Sequence, residues 1–239
     1  MTDGAWLSLY SGGKDSAYAL HLAREDGLPV EGLLTVHPEG DSYMFHVPAT
    51  HLTSLAAESI GLPLYEVEPG DFGADDAVDA TAQGDREVEP LAEALPDLDR
   101  RLESGLAGVT VGAVESEFQA DRVERVADRL DLAVFAPLWH RDPTTLGREM
   151  IDAGFEIRIV RVAAAGLDES WLGRTLDRAA LEDLATLHED YGVHVLGEGG
   201  EYETLVTDGP HMDRAIGISA EPDWDGTRGT LRIEDAWLQ

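Results

Sequence analysis

The chain has 239 residues, 43% of them hydrophobic, and a formal net charge of −31 from 48 acidic and 17 basic side chains. That balance argues against a general nucleic-acid binder, whose footprint is basic, and the hydrophobic content with clear periodicity argues against disorder. Cysteine is absent, which removes disulfides, thiolate metal sites and every cysteine nucleophile.

Lys14 is the only lysine, and the other basic residues are arginine. Acid excess with lysine depletion is the composition of a folded protein adapted to a very salty cytoplasm, where the Debye length shrinks to roughly 3 Å at 1 M salt. No signal peptide precedes the first expected strand, and no apolar run approaches the ~20 residues of a membrane helix. The expectation is a cytoplasmic protein that binds neither membrane nor nucleic acid.

The first element is the apolar run Trp6–Tyr10, read as a strand. It leads into Ser11-Gly12-Gly13-Lys14-Asp15-Ser16, and a helical pattern opens near Asp15 with Ala17, Leu20 and Ala23. Strand, glycine-rich turn and helix start form the geometry that binds phosphate: the glycines let backbone N–H groups approach an anion, and the helix adds the positive end of its dipole. Ser11 and Ser16 add hydroxyl donors and Lys14 a full charge. The spacing is not that of a Walker A loop.

Val30–Val36 reads as a second strand, and Thr35 and Val36 at its carboxyl end are placed to border an adenine. Asp41–His46 is polar and aromatic. Leu52, Leu55, Ala56 and Ile60 mark a helix closed by Gly61, and Leu62–Val67 a third strand. Residues 71–85 read as an acidic loop. A helix over about 86–103 is expected to break or kink at Pro96. Val109–Val114 is the fourth expected strand, with Gly112 and Ala113 small enough for a nucleotide to approach. A helix carrying Val123, Val126, Ala127 and Leu130 follows, then a fifth strand over Leu132–Ala136. Alternation of strand and helix predicts an open parallel sheet, helices on both faces, over residues 1–140.

The pattern changes over residues 141–239. Asp142-Pro143 caps a helix ending at Gly154, Phe155–Val162 is a strand, Gly166–Arg174 a structured loop, Ala180–Tyr191 a long helix, and the tail is β-rich. Gly197–Thr204 sets three glycines beside Glu198, Glu201 and Glu203. Carboxylates in such a turn suit a cation, a metal or an amine; an ordinary glycine-rich hairpin in an acidic protein is the other reading.

Ser11–Ser16 resembles the pyrophosphate loop of enzymes that cleave ATP between its α and β phosphates. Together with Ser42-Tyr43-Met44-Phe45-His46, Gly112–Gln119, Ala136-Pro137-Leu138-Trp139, Gly166–Arg174 and Gly197–Thr204, in that order, it resembles the diphthine–ammonia ligase family. The resemblance implies a nucleotide α-hydrolase-like (Rossmann-like) α/β domain over 1–140 followed by a smaller, family-specific α+β substrate domain over 141–239. It further implies amidation of diphthine on translation elongation factor 2 by ammonium, with ATP going to AMP and pyrophosphate. Carboxylate amidation needs an activated acyl group, which adenylation supplies.

On that reading Ser11, Gly12, Gly13 and Ser16 hold the leaving pyrophosphate and Lys14 neutralises it, while Asp15 either contacts Mg²⁺ or is only a residue of the helix start. Glu198, Glu201 or Glu203 binds ammonium or takes its proton. Tyr43, Trp139, Trp171 and Tyr202 are candidates for the trimethylammonium of diphthine, or simply core. His46, Gln119, Arg122, Arg174 and Thr204 are further candidates for substrate contact. Two other readings stand beside this one: a different pyrophosphate-loop ligase, and a non-catalytic ATP-binding regulator. A homodimer is among the assemblies left open.

Overall fold

The computed structural model describes residues 4–36, 52–67, 89–115 and 117–239, the side chains of 117–120 excepted. The expectations placed on Tyr43, His46 and the 71–85 segment lie outside the described residues, as does the side chain of Gln119.

Five strands form a parallel sheet: β1 (Ala5–Leu9), β2 (Val30–Val36), β3 (Leu64–Val67), β4 (Leu106–Thr110) and β5 (Ala133–Phe135), in the order β3-β2-β1-β4-β5. All five residues of β1 are buried, as a central parallel strand covered on both faces requires. One face packs on α1 (Lys14–Glu25) and α2 (Thr53–Ile60), the latter ended by Gly61 at φ 73°. The other packs on α3 (Glu89–Arg101) and α4 (Glu117–Arg129) through Leu91, Leu95, Leu98, Val123 and Val126. The strand order reverses at β1, so a crevice opens beyond the carboxyl ends of β1 and β4, where open α/β sheets bind ligands.

Two expectations are corrected. Of the break or kink expected at Pro96, the break is absent, since helix α3 runs through that residue. An internal proline costs about 3 kcal/mol, but burying each of Leu91, Leu95 and Leu98 returns about 1.5–3 kcal/mol. The fourth strand starts three residues earlier than expected and ends at Thr110. Gly108 suits the strand interior because a Cβ there would lie 2.5 Å from the Ala133 carbonyl oxygen and 2.7 Å from the Trp6 ring. Val111 still donates its N–H to the Phe135 carbonyl at 2.9 Å, and residues 112–114 leave the sheet.

The rest of the chain builds a four-stranded antiparallel sheet from β6 (Glu156–Val162), β7 (Tyr202–Asp208), β8 (Ile216–Trp224) and β9 (Gly229–Leu238), ordered β7-β6-β9-β8. Helices α5 (Pro143–Asp152) and α6 (Arg178–Tyr191) accompany it. The two sheets meet across α1 and α2: Val206 N–H donates to the Gly12 carbonyl at 2.9 Å, Asp213 N–H to the Ser59 carbonyl at 2.9 Å, and Arg24 to the His211 carbonyl at 3.4 Å. Among the described residues no helix is long and apolar enough to cross a membrane.

Candidate active site

Gly12 turns the chain at the end of β1 with φ 83°, a conformation that a side chain disfavours. Gly13 then caps α1 with extended backbone and no side-chain cap bond. The turn is tied internally by two serines. Ser16 Oγ donates to the Gly13 carbonyl at 3.1 Å and accepts from Ser11 N–H at 3.2 Å, and Ser11 Oγ lies 3.1 Å from it. Helix start, small residues and hydroxyls thus face the crevice together, the arrangement that receives an anion.

Three further segments complete a cleft of about 170 Å³. Thr35 and Val36 form one wall, and Thr35 Oγ1 donates to the Tyr10 carbonyl at 2.6 Å, so its hydroxyl holds backbone. Gly112 and Ala113 form another. A Cβ on Gly112 would lie 2.6 Å from both Asp15 C and Ser16 N, so only glycine lets the chain beyond β4 pass against the start of α1. The third is Gly197–Thr204 from the second half of the chain. Thr204 Oγ1 accepts from Lys14 N–H at 3.2 Å, and Tyr202 is buried with its hydroxyl donating to the Val195 carbonyl at 2.7 Å.

The three glutamates of that segment separate. Glu203 borders the cleft, but its carboxylate is paired with Arg161 at 2.6 Å on neighbouring β6. Glu201 does not line the cleft; its oxygens accept from His194 N–H at 3.1 Å and Gly199 N–H at 2.9 Å and so brace the turn. Glu198 faces the cleft, and its pKa is pushed up to about 7, first by burial and then by the negative charge of Asp15. Lys14 and the backbone N–H groups of Glu115 and Val114 act in the opposite sense. A carboxylate poised near neutrality can take up a proton there.

Lys14 is 4% exposed; its Nζ lies 2.7 Å from Asp15 Oδ2 and 5.8 Å from the centre of the Tyr202 ring. The other oxygen, Asp15 Oδ1, is buried without a hydrogen-bond partner. Among the described residues no group of three or more His, Asp or Glu could hold a metal ion. One bare carboxylate oxygen beside a glycine turn that suits an anion does fit a largely hydrated Mg²⁺, which takes one or two carboxylates plus phosphates.

The remaining candidates do not line the cleft. Trp171 is 6% exposed, with the Arg174 guanidinium 4.3 Å over its ring, and Arg174 pairs with Asp183 at 2.6 Å. Trp139 packs on the core of the parallel sheet with its ring centre 4.4 Å from that of His140. Arg122 is buried next to Val123, which does border the cleft. Sequence reasoning missed the N–H groups of Val114 and Glu115 and the ring of His194, which lies 3.3 Å from the Glu115 carboxylate. Only the pairing of segments some 80 positions apart (|i−j| = 79) could have disclosed them.

Residues 5–134 match the model of the diphthamide synthase N-terminal domain, and residues 142–238 that of the diphthamide synthase C-terminal domain. The diphthine–ammonia ligase of Homo sapiens is 40% identical over 219 residues, covering 87% of this chain and 80% of the human protein. That of Mus musculus is 39% identical over 247 residues, covering 96% and 86%. The Saccharomyces cerevisiae protein of the same name is 34% identical over 227 residues, 86% of this chain but 33% of its own length. Among solved structures, a predicted tRNA methyltransferase subunit from Methanocaldococcus jannaschii aligns over 87% of this chain and 98% of its own at 15% identity and a TM-score of 0.43.

Proposed function

The chain belongs to the diphthamide synthase family, and from that premise we propose that it amidates diphthine with ammonium at the expense of ATP, giving diphthamide, AMP and pyrophosphate. The observation that carries this reading is one cleft with two chemistries: a glycine-rich anion cradle from the parallel sheet and, facing it from the other half of the chain, the Glu198 carboxylate poised near neutrality. We read residues 1–140 as the nucleotide-binding half and 141–239 as the half that presents substrate. The protein substrate is translation elongation factor 2, and the place of work is the cytoplasm.

The diphthine carboxylate attacks the α-phosphorus of ATP in line. One P–O bond forms and the bond to the bridging oxygen breaks, leaving an acyl-adenylate and pyrophosphate. The N–H groups at the start of α1 and the Ser11 and Ser16 hydroxyls receive the pyrophosphate, and Lys14 moves from Asp15 onto its growing charge. Asp15 would hold Mg²⁺, which when bound neutralises phosphate charge. Glu198 binds ammonium as a carboxylate and takes its proton; ammonia then attacks the acyl carbon, and AMP leaves.

The test is AMP release with ATP, ammonium and diphthine-bearing factor, each omitted in turn. AMP that requires all three supports the reading. AMP formed with another acceptor would keep the phosphate chemistry and discard the substrate. Tight ATP binding with no AMP would leave a regulator.

A further inference from the structure

Glu198 sits on a turn with little regular backbone pairing, between Gly197 at φ 72° and Gly200 at φ 79°. Such a turn does not by itself fix a carboxylate over a cleft. What fixes it converges on His194. Nδ1 of His194 accepts from the N–H of Leu196 at 3.1 Å and of Glu198 at 3.3 Å. Amide N–H groups only donate, so Nδ1 carries the lone pair and the ring proton is on Nε2. Nε2 therefore donates to Glu115 Oε2, 3.3 Å away on the chain beyond β4. In return, the backbone N–H groups of Glu115 and Val114 favour the charged form of the Glu198 carboxylate, against the burial that opposes it. Glu201 closes the turn from below by accepting from His194 N–H and Gly199 N–H.

We propose that His194 is a positioning residue whose ring clasps the Gly197–Glu201 turn to the 112–115 segment, and so sets the place and the hydration of the Glu198 carboxylate above the phosphate loop. The two nitrogens have separate duties: Nδ1 shapes the turn, and Nε2 ties it to the other half of the molecule. The kinetic consequence rests on the amidation reading above; the structural consequence does not.

Three variants separate the duties. His194→Ala removes both. His194→Asn keeps an acceptor near the Nδ1 position but cannot reach Glu115. Glu115→Gln keeps an acceptor for Nε2 and serves as the conservative variant. A misplaced group in an active site costs up to about 100-fold. The expected result is a fall in amidation kcat of about tenfold or more for His194→Ala, with the KM for ATP within about twofold and pyrophosphate–ATP exchange retained, because the phosphate loop is untouched. His194→Asn should recover part of the loss and Glu115→Gln should stay near wild type.

A second readout needs no turnover: a ¹³C-carboxyl NMR titration of Glu198 in the ligand-free protein. Its midpoint should fall toward the ordinary carboxylate range in His194→Ala, as the released carboxylate becomes hydrated, and less so in His194→Asn. An unchanged midpoint, or a wild-type kcat in His194→Ala with only a lower melting temperature, would overturn the clasp. If the wild-type protein makes no AMP at all, the amidation reading fails and the titration alone decides the clasp.

Discussion

Lys14 is nearly enclosed and within 2.7 Å of Asp15, at the mouth of the glycine turn. Lys14→Ala removes a nearly enclosed cation from that turn, and AMP formation should fall by about 100-fold or more in a single-turnover assay. Gly112→Ala acts by volume: its methyl would meet the α1 backbone at 2.6 Å, so the helix start must shift. The expected outcome is a raised KM for ATP and a loss of about 1–3 kcal/mol in denaturant unfolding.

Glu198 makes a prediction with a definite sign. Its folded-state pKa of about 7 lies above the unfolded value near 4.3, so the folded state holds more protons in between. Stability contributed by this group is therefore present at acid pH and is lost as pH rises from about 4.3 to about 7. Glu198→Gln, which does not titrate, should melt progressively higher relative to wild type across that window while losing amidation. Wild-type amidation should rise through about pH 7, as the carboxylate ionises. A melting difference that does not vary with pH would contradict the assignment.

At the scale of elements, much of the architecture was legible because local signals agreed. Val30–Val36 is a strand with the bounds read from its apolar run, and Asp142-Pro143 opens a helix whose cap accepts from Thr145 N–H at 2.8 Å. Asp142→Ala should lower the unfolding free energy by about 1 kcal/mol and leave AMP formation unchanged. The misreadings came where tertiary packing overrode a local rule. Pro96 stays inside its helix because three leucines are buried against the sheet, and Gly108 lies within a strand because Trp6 and Ala133 leave no room for a side chain. The glycine turn with its two serines could be read from a contiguous string as a candidate anion site. Choosing among Glu198, Glu201 and Glu203 could not, because the choice depends on Arg161, Asp15 and the chain beyond β4, all distant in sequence.

At the scale of the whole molecule, the cleft exists only because the two sheets are docked. Val206 reaches the Gly12 carbonyl, Thr204 reaches Lys14, and His194 reaches Glu115. A net charge of −31 opposes that docking through self-repulsion, which salt screens within a shortening Debye length. The melting temperature should therefore climb as KCl is raised toward molar concentrations, and activity should climb with it. A melting temperature insensitive to salt would show that the acidic faces impose no such burden.

On the proposed function, the cradle and the facing carboxylate together join ammonia nitrogen to a carboxylate at the cost of ATP. Its most direct test is incorporation of ¹⁵N from labelled ammonium into diphthine-bearing elongation factor, followed by mass spectrometry of the modified peptide. The expected result is one labelled nitrogen in that peptide only when ATP is present, with equal AMP formed and with loss of label in Lys14→Ala. AMP accumulating without label in the peptide would contradict it.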